Sequence, residues 1–226
     1  MKNNIWFFGD SFTYGDGCVE DRPVNGEYHK LNPFGVLWRN GVADHFNMNQ
    51  INKSAGGASN DWIINSLIEE IVNIQPNDIV VFGLSWSERF QLINKEFKIH
   101  QNFLTQQFTN PDNPNDLVIL DPTDKKYNDE LYNMLKLFSI EYRIQHGEIL
   151  KLYQYAQASN LLKKIKQSNV KTLLWDITNQ HQYETIDEVI GNGDRHWSWK
   201  GHNDWMMKCI ELLENNEHEF KPYLRP

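Results

Sequence analysis

The chain has 226 residues, 40% of them hydrophobic, with 22 Lys and Arg against 30 Asp and Glu for a net charge of −8. This composition excludes the disordered and fibrous classes, and the length favours one large domain over two. The negative balance works against binding to nucleic acid phosphates or anionic lipid, so neither nucleic acid nor a membrane is an expected partner.

The opening Met-Lys-Asn-Asn is followed by only four apolar residues before Gly9, too short for a signal-peptide core, and no later run is long enough to span a bilayer. The default expectation is therefore a cytoplasmic protein. Ile5 to Phe8, continuously apolar and closed by Gly9, reads as a fully buried strand. Phe34 to Phe46 carries apolar residues at helical spacing behind Pro33. A short strand around Gln50 to Lys53 follows, then the small-residue loop Ser54 to Ser59. Trp62, Ile63, Leu67, Ile68, Ile71 and Ile74 trace one face of a helix that ends before Pro76. Asp78 to Gly83 is a β-branched, turn-bounded buried strand.

Residues 88 to 128 break the alternation with Asn-Pro-Asp-Asn-Pro-Asn-Asp and a short apolar run at Leu117 to Leu120, which reads as an excursion or cap over one end of a sheet. A long helical pattern runs from about Asp129 to Gln167, with a break near Gly147. Val170 to Trp175 is the last strand and Lys200 to Glu214 the last helix. Strands alternating with helices imply right-handed crossovers and a mostly parallel, flavodoxin-like sheet between two helical layers, an α/β/α sandwich in one domain over 1–226. Ligands of such sheets bind outside the carboxyl ends of the strands, which here are Gly9-Asp10-Ser11, Ser54 to Gly57, Gly83 to Ser85, and Asp176.

Cys18 and Cys209 lie near opposite ends of the chain and form no C-x-x-C motif, and no metal-ligand spacing is present. No metal site is expected from these spacings. The eight Trp, nine Tyr and twelve Phe suit a core, with sugar or acyl recognition as the other use of so many rings.

Two stretches carry chemistry. Gly9-Asp10-Ser11-Phe12-Thr13-Tyr14-Gly15 places a serine in a Gly-flanked turn at a strand end; read plainly, it is also a turn with Asp10 or Thr13 as a helix cap. Gly193-Asp194-Arg195-His196-Trp197-Ser198 places an acid and a base one residue apart before the final helix, for which Ser198 is a natural N-cap. A serine hydroxyl becomes a nucleophile when a base takes its proton and a carboxylate holds that base in its tautomer.

Taken together the two stretches resemble the SGNH or GDSL hydrolases, in block order across nearly the whole chain although with few matching residues. The resemblance implies Ser11 as nucleophile, His196 as base and Asp194 as its orienting acid, with Asp176 or Asp187 as alternatives to Asp194 and His202 in a structural role. Asn52 to Ser59 looks like the second block, which implies that the Gly57 N–H joins that of Ser11 in an oxyanion hole. The third block departs: Gly83-Leu84-Ser85 stands where the family has Gly-x-Asn, so the amide donor is missing there. Ser85 either donates in its place or heads a capping box with Glu88, and Asn60 is a conceivable substitute. The fourth block has Asp-x-His in place of Asp-x-x-His, the shorter form of polysaccharide acetyl-modifying relatives.

The resemblance implies a serine esterase that forms an acyl-enzyme without a metal or organic cofactor; the 88–128 excursion and the rings of Trp86, Trp197 and Trp199 suit a small or carbohydrate ester, including O-acetyl groups, with Asp10, Asn60, Trp86 and Trp197 nearest the substrate. The competing expectations are a non-catalytic module on the same fold, binding carbohydrate or structural, and an acyltransferase with the same triad.

Overall fold

A computed structural model describes residues 2–15, 23–24, 27–28, 37–87, 90–93, 99–103, 147–176, 197 and 199–218. The central sheet is built from β1 (Asn4–Gly9), β4 (Asn49–Ser54), β5 (Ile79–Leu84) and β8 (Lys171–Asp176), all parallel, in the order β4-β1-β5-β8. In β1 successive side chains go to opposite faces. Ile5 and Phe7 pack with Val81, Leu173 and Trp175 on one, and Trp6 and Phe8 with Val80, Phe82 and Leu174 on the other. Both faces are apolar because both are covered. On the first lie α2 (Trp38–His45) and α5 (Trp199–Glu214), which contribute Trp38, Val42, Trp205, Cys209 and Leu213. On the second lie α3 (Asn60–Glu70) and α4 (Gly147–Lys166), which contribute Ile63, Leu67, Ala158, Leu162 and Ile165. The result is the expected three-layer α/β/α sandwich.

Strand order reverses at β1: the chain goes first to β4 on one side and then to β5 on the other. The register pairs Phe8 with Lys53 and with Phe82, so the loops after β1, β4 and β5 emerge together at one edge. That reversal is a topological switch point, where an open α/β sheet has a crevice. Gly83 is required near it. A Cβ there would lie 2.7 Å from Cε2 of Trp175, which packs across it from β8.

Several boundaries differ from the sequence reading. The helix expected to run to Ile74 ends at Glu70, and Ile71 and Ile74 reach the core from the turns that follow, with Asn73 N–H donating to Glu70 O at 2.8 Å. Apolar periodicity persists past the helix because the turn keeps the chain on the same face. The described helix α2 begins at Trp38, after Leu37; residues 34 to 36 lie outside the described residues. Within the 88–128 excursion, β6 (Phe90–Ile93) and β7 (Ile99–Phe103) pair antiparallel, while Leu117 to Leu120 lies outside the described residues. The 129–146 part of the long helical pattern also lies outside them, and α4 begins at Gly147, where the break was expected. A two-stranded ladder of β2 (Pro23–Val24) and β3 (Glu27–Tyr28) has no counterpart in the sequence reading, although the intervening Asn25-Gly26 is a strong hairpin dipeptide. No helix among the described residues is long and apolar enough to cross a membrane.

Candidate functional site

The Gly-Asp-Ser turn is a one-turn helix, α1 (Ser11–Tyr14), set directly on the end of β1. Asp10 is its N-cap, with Oδ1 accepting from Phe12 N–H at 3.1 Å. Gly15 closes it in the left-handed region at φ 92° and donates to Ser11 O at 2.8 Å, a C-terminal geometry that glycine adopts without strain. The capping reading of Asp10 thus holds, and it fixes where Ser11 stands. Ser11 is the first residue of the helix, a position whose N–H has no carbonyl to meet within the helix. Its hydroxyl is buried and has no hydrogen-bond partner among the described residues.

The C-terminal carbonyls of the same turn are held by Arg39 of α2, whose Nη1 donates to Thr13 O at 3.1 Å and to Tyr14 O. Burial pushes the Arg39 guanidinium below its ordinary value, and the Tyr14 phenol opposes the shift. A cation at the negative end of a short helix complements its dipole while fixing the turn on α2.

Across the switch point, Ser85 Oγ donates to Asp10 Oδ2 at 2.7 Å. Ser85 N–H donates to Asn60 Oδ1 at 2.6 Å, and Asn60 Nδ2 donates to Ser85 O at 3.0 Å and to Gln154 Oε1 at 2.8 Å. Asp10, Asn60, Ser85 and Gln154 are all buried. Four elements, β1, β5, α3 and α4, are therefore tied by one polar chain beside Ser11. The Ser85 hydroxyl is directed at Asp10, and both Asn60 amide hydrogens are engaged, so neither side chain holds a donor toward a substrate oxygen in this arrangement. Of the capping box expected over Ser85 to Glu88, Glu88 lies outside the described residues, and the Ser85 N–H that it would accept is taken by Asn60.

Gly57 sits in the loop after β4 at φ 71°, a conformation that turns its peptide out of the strand and that a side chain would strain. Ser59 caps α3 by accepting from Trp62 N–H at 3.3 Å, which sets Asn60 as the first residue of that helix. Asp176, at the end of β8, is buried with Lys151 Nζ 3.7 Å away.

The aromatic residues near Ser11 divide between core and margin. Trp197 is 2% exposed; its ring meets Phe12 at 5.2 Å edge-on and stacks toward Trp175 at 5.9 Å. It belongs to a cluster with Trp38 and Trp205, where Trp175 and Trp205 centroids are 4.7 Å apart. Trp86 is partly buried, 5.8 Å from Phe12. His202 is buried edge-on to Trp197 at 5.7 Å. Asp194, His196, Asp187 and Ser198 lie outside the described residues, as does the side chain of Trp199. Gln154 is the participant that the sequence reading passed over; its signal is a polar residue on the buried stripe of α4, one turn before Ala158.

No group of three or more His, Cys, Asp or Glu among the described residues is arranged to hold a metal ion. No family model matches the chain, and no curated protein matches it. Among solved structures it is similar to a protein from Desulfitobacterium hafniense DCB-2 provisionally assigned to the lipolytic G-D-S-L family, at 10% identity and a TM-score of 0.41, covering 93% of this chain and 99% of that one. A likeness that distant concerns the general layering and assigns no side chain a role.

Proposed function

We propose that this chain is a serine esterase of the SGNH or GDSL type, with Ser11 as nucleophile, His196 as general base and Asp194 as the residue that orients it. One observation carries the reading. Phe12, the covalent neighbour of Ser11, packs against Trp197, the covalent neighbour of His196, at 5.2 Å. The two stretches singled out for their chemistry, 185 positions apart by subtraction of 11 from 196, thus share a packing contact one residue from each reactive group. Placement of Ser11 at the switch point, with an unpartnered buried hydroxyl and a helix-N1 amide beside it, adds support.

In the reaction, Ser11 Oγ forms a bond to the acyl carbon as His196 takes its proton, and the carbonyl electron pair moves onto oxygen. Collapse breaks the bond to the alcohol oxygen, which receives that proton from His196. Water then repeats the sequence and frees the acid. The N–H groups of Ser11 and Gly57 are the backbone donors for the charged oxygen, each worth about 3 kcal/mol of barrier where such donors have been removed. The substrate is a small or carbohydrate ester, with Trp86 at its margin, and the fold is one domain over 1–226.

The test is labelling with a fluorophosphonate probe, with the modified peptide located by mass spectrometry. Labelling at Ser11 that His196→Ala abolishes is the expected result; a folded wild type that does not label sinks the esterase. The engaged state of Ser85 and Asn60 favours the second reading, a non-catalytic module on this fold, and that is what an unlabelled protein would mean. Turnover that appears only when a hydroxyl acceptor is added would make it an acyltransferase.

A further inference from the structure

A helix of one turn cannot hold itself, because it closes too few bonds to offset its nucleation. In α1 only Asp10 O and Ser11 O are met within the turn, by Tyr14 N–H and Gly15 N–H, each at 2.8 Å. The carbonyls of Phe12, Thr13 and Tyr14 are left over, and the first two residues of α2 take all three. Trp38 Nε1 donates to Phe12 O at 3.0 Å, and the two hydrogens of Arg39 Nη1 go to Thr13 O and Tyr14 O. Every carbonyl from Asp10 to Tyr14 is therefore engaged.

Arg39 fills this place at a cost. It is 7% exposed, makes no ion pair with a carboxylate among the described residues, and has an Nε without a partner among them. A buried cation is ordinarily paired with an anion, since its lost hydration is otherwise poorly compensated. Here it meets the carbonyls at the negative end of the turn and the Tyr14 ring, whose centroid is 5.9 Å from the guanidinium carbon. An apolar side chain would fill the layer without that cost, so what the guanidinium adds is the placement of the turn. Asp10 ties the front of the turn toward α3 and α4 on one side of the sheet, and Arg39 ties its rear to α2 on the other. We propose that Arg39 is the positioning residue of the nucleophile, holding the turn by its carbonyls so that the Ser11 hydroxyl and N–H keep one place as the ester is attacked. The inference rests on the esterase reading and adds to it what aims the serine.

Fluorophosphonate labelling separates aim from fold, because its endpoint counts folded sites while its rate reports how well each Ser11 is set. Arg39→Met keeps the stem and removes the donors. It is expected to reach the wild-type endpoint at a rate roughly a hundredfold lower, with a similar loss in kcat on p-nitrophenyl acetate and KM within about twofold. Arg39→Lys, which keeps the charge on a shorter side chain, should recover to about tenfold below the wild type. Wild-type rate per labelled site and wild-type kcat in Arg39→Met, with loss only in urea stability, would mean that Arg39 merely supports the fold, and the proposal is overturned. Should Arg39→Met fail to fold, Arg39→Lys and Trp38→Phe, which keeps a ring and loses the donor to Phe12 O, are read in the same way. Slower labelling at full endpoint upholds the proposal; wild-type rates in both, or an Arg39→Lys that does not fold, overturn it. A wild type that neither labels nor turns over ester removes the esterase reading itself, an outcome distinct from an active wild type with an equally active Arg39→Met.

Discussion

The seam between β1 and β5 ends in a buried aspartate at each extremity, and the two ends are finished differently. At the amino end Asp78 accepts three N–H groups, from Asn4 at 2.7 Å, the Trp6 indole at 2.9 Å and Gln75 at 3.0 Å. These clamp β1 to the start of β5 and close the turn that enters it. At the carboxyl end Asp10 accepts from Phe12 N–H and Ser85 Oγ, yet the neighbouring Ser11 and Thr13 hydroxyls are buried without a partner among the described residues. Evolution has no stability reason to leave a hydroxyl so placed, since an unmet buried polar group costs about 1–3 kcal/mol. The same residue type on the same strand pair thus closes a structure at one end and borders the proposed site at the other.

Ser11→Ala breaks the comparison most. Probe labelling and ester turnover should fall by at least about a thousandfold, while the melting temperature stays level or rises because an unpartnered buried hydroxyl is gone. Asp78→Ala should do the reverse, costing roughly 3–5 kcal/mol in urea unfolding as three donors lose their acceptor, with unchanged turnover per folded molecule. Gly83→Ala strikes between the two: the added Cβ meets the Trp175 ring at 2.7 Å, for a loss of about 1–3 kcal/mol, and displacement of the adjoining Ser85 segment should lower kcat as well.

The smallest effect sharpens the contrast with a half-buried carboxylate at the surface. The hydrogen bond from Lys53, at 2.6 Å, and a second from Asn73 hold the Glu70 carboxyl below its ordinary range. Its contribution is therefore present above the ordinary carboxylate range and is lost as pH falls through the lowered folded value. Glu70→Gln should flatten that acidic limb of the stability curve, by about 0.2–1 kcal/mol in urea melts, because ion pairs that still meet solvent are weak.

The strands were legible because burial on both faces writes an unbroken apolar run, as in Ile5 to Phe8 and Ile79 to Val81. Helix ends were less so: the α3 stripe continues through Ile71 and Ile74 although the helix stops at Glu70, since apolar spacing reports the face and not the hydrogen bond. Ser11, Asp10 and Ser85 each stood out at a strand end, but the bond between Asp10 and Ser85 joins residues 75 apart and only the register of β1 with β5 brings them together. Gln154 was hidden by its helix. One polar residue in an amphipathic pattern looks like any solvated position until the stripe through Ala158, Leu162 and Ile165 is drawn through it.

The tryptophan cluster gives the molecule an optical readout of the proposed site. Trp175 and Trp205 at 4.7 Å, with Trp38 and Trp197 about 6 Å from them, are close enough for their excited states to couple, so the folded chain should show a far-ultraviolet exciton couplet and efficient energy transfer among indoles. Trp197 belongs to that antenna and is bonded directly to His196. Any undocking of the segment around the proposed base would therefore detune a signal that originates in the core, and circular dichroism could follow in solution, without a substrate, how firmly that segment is held.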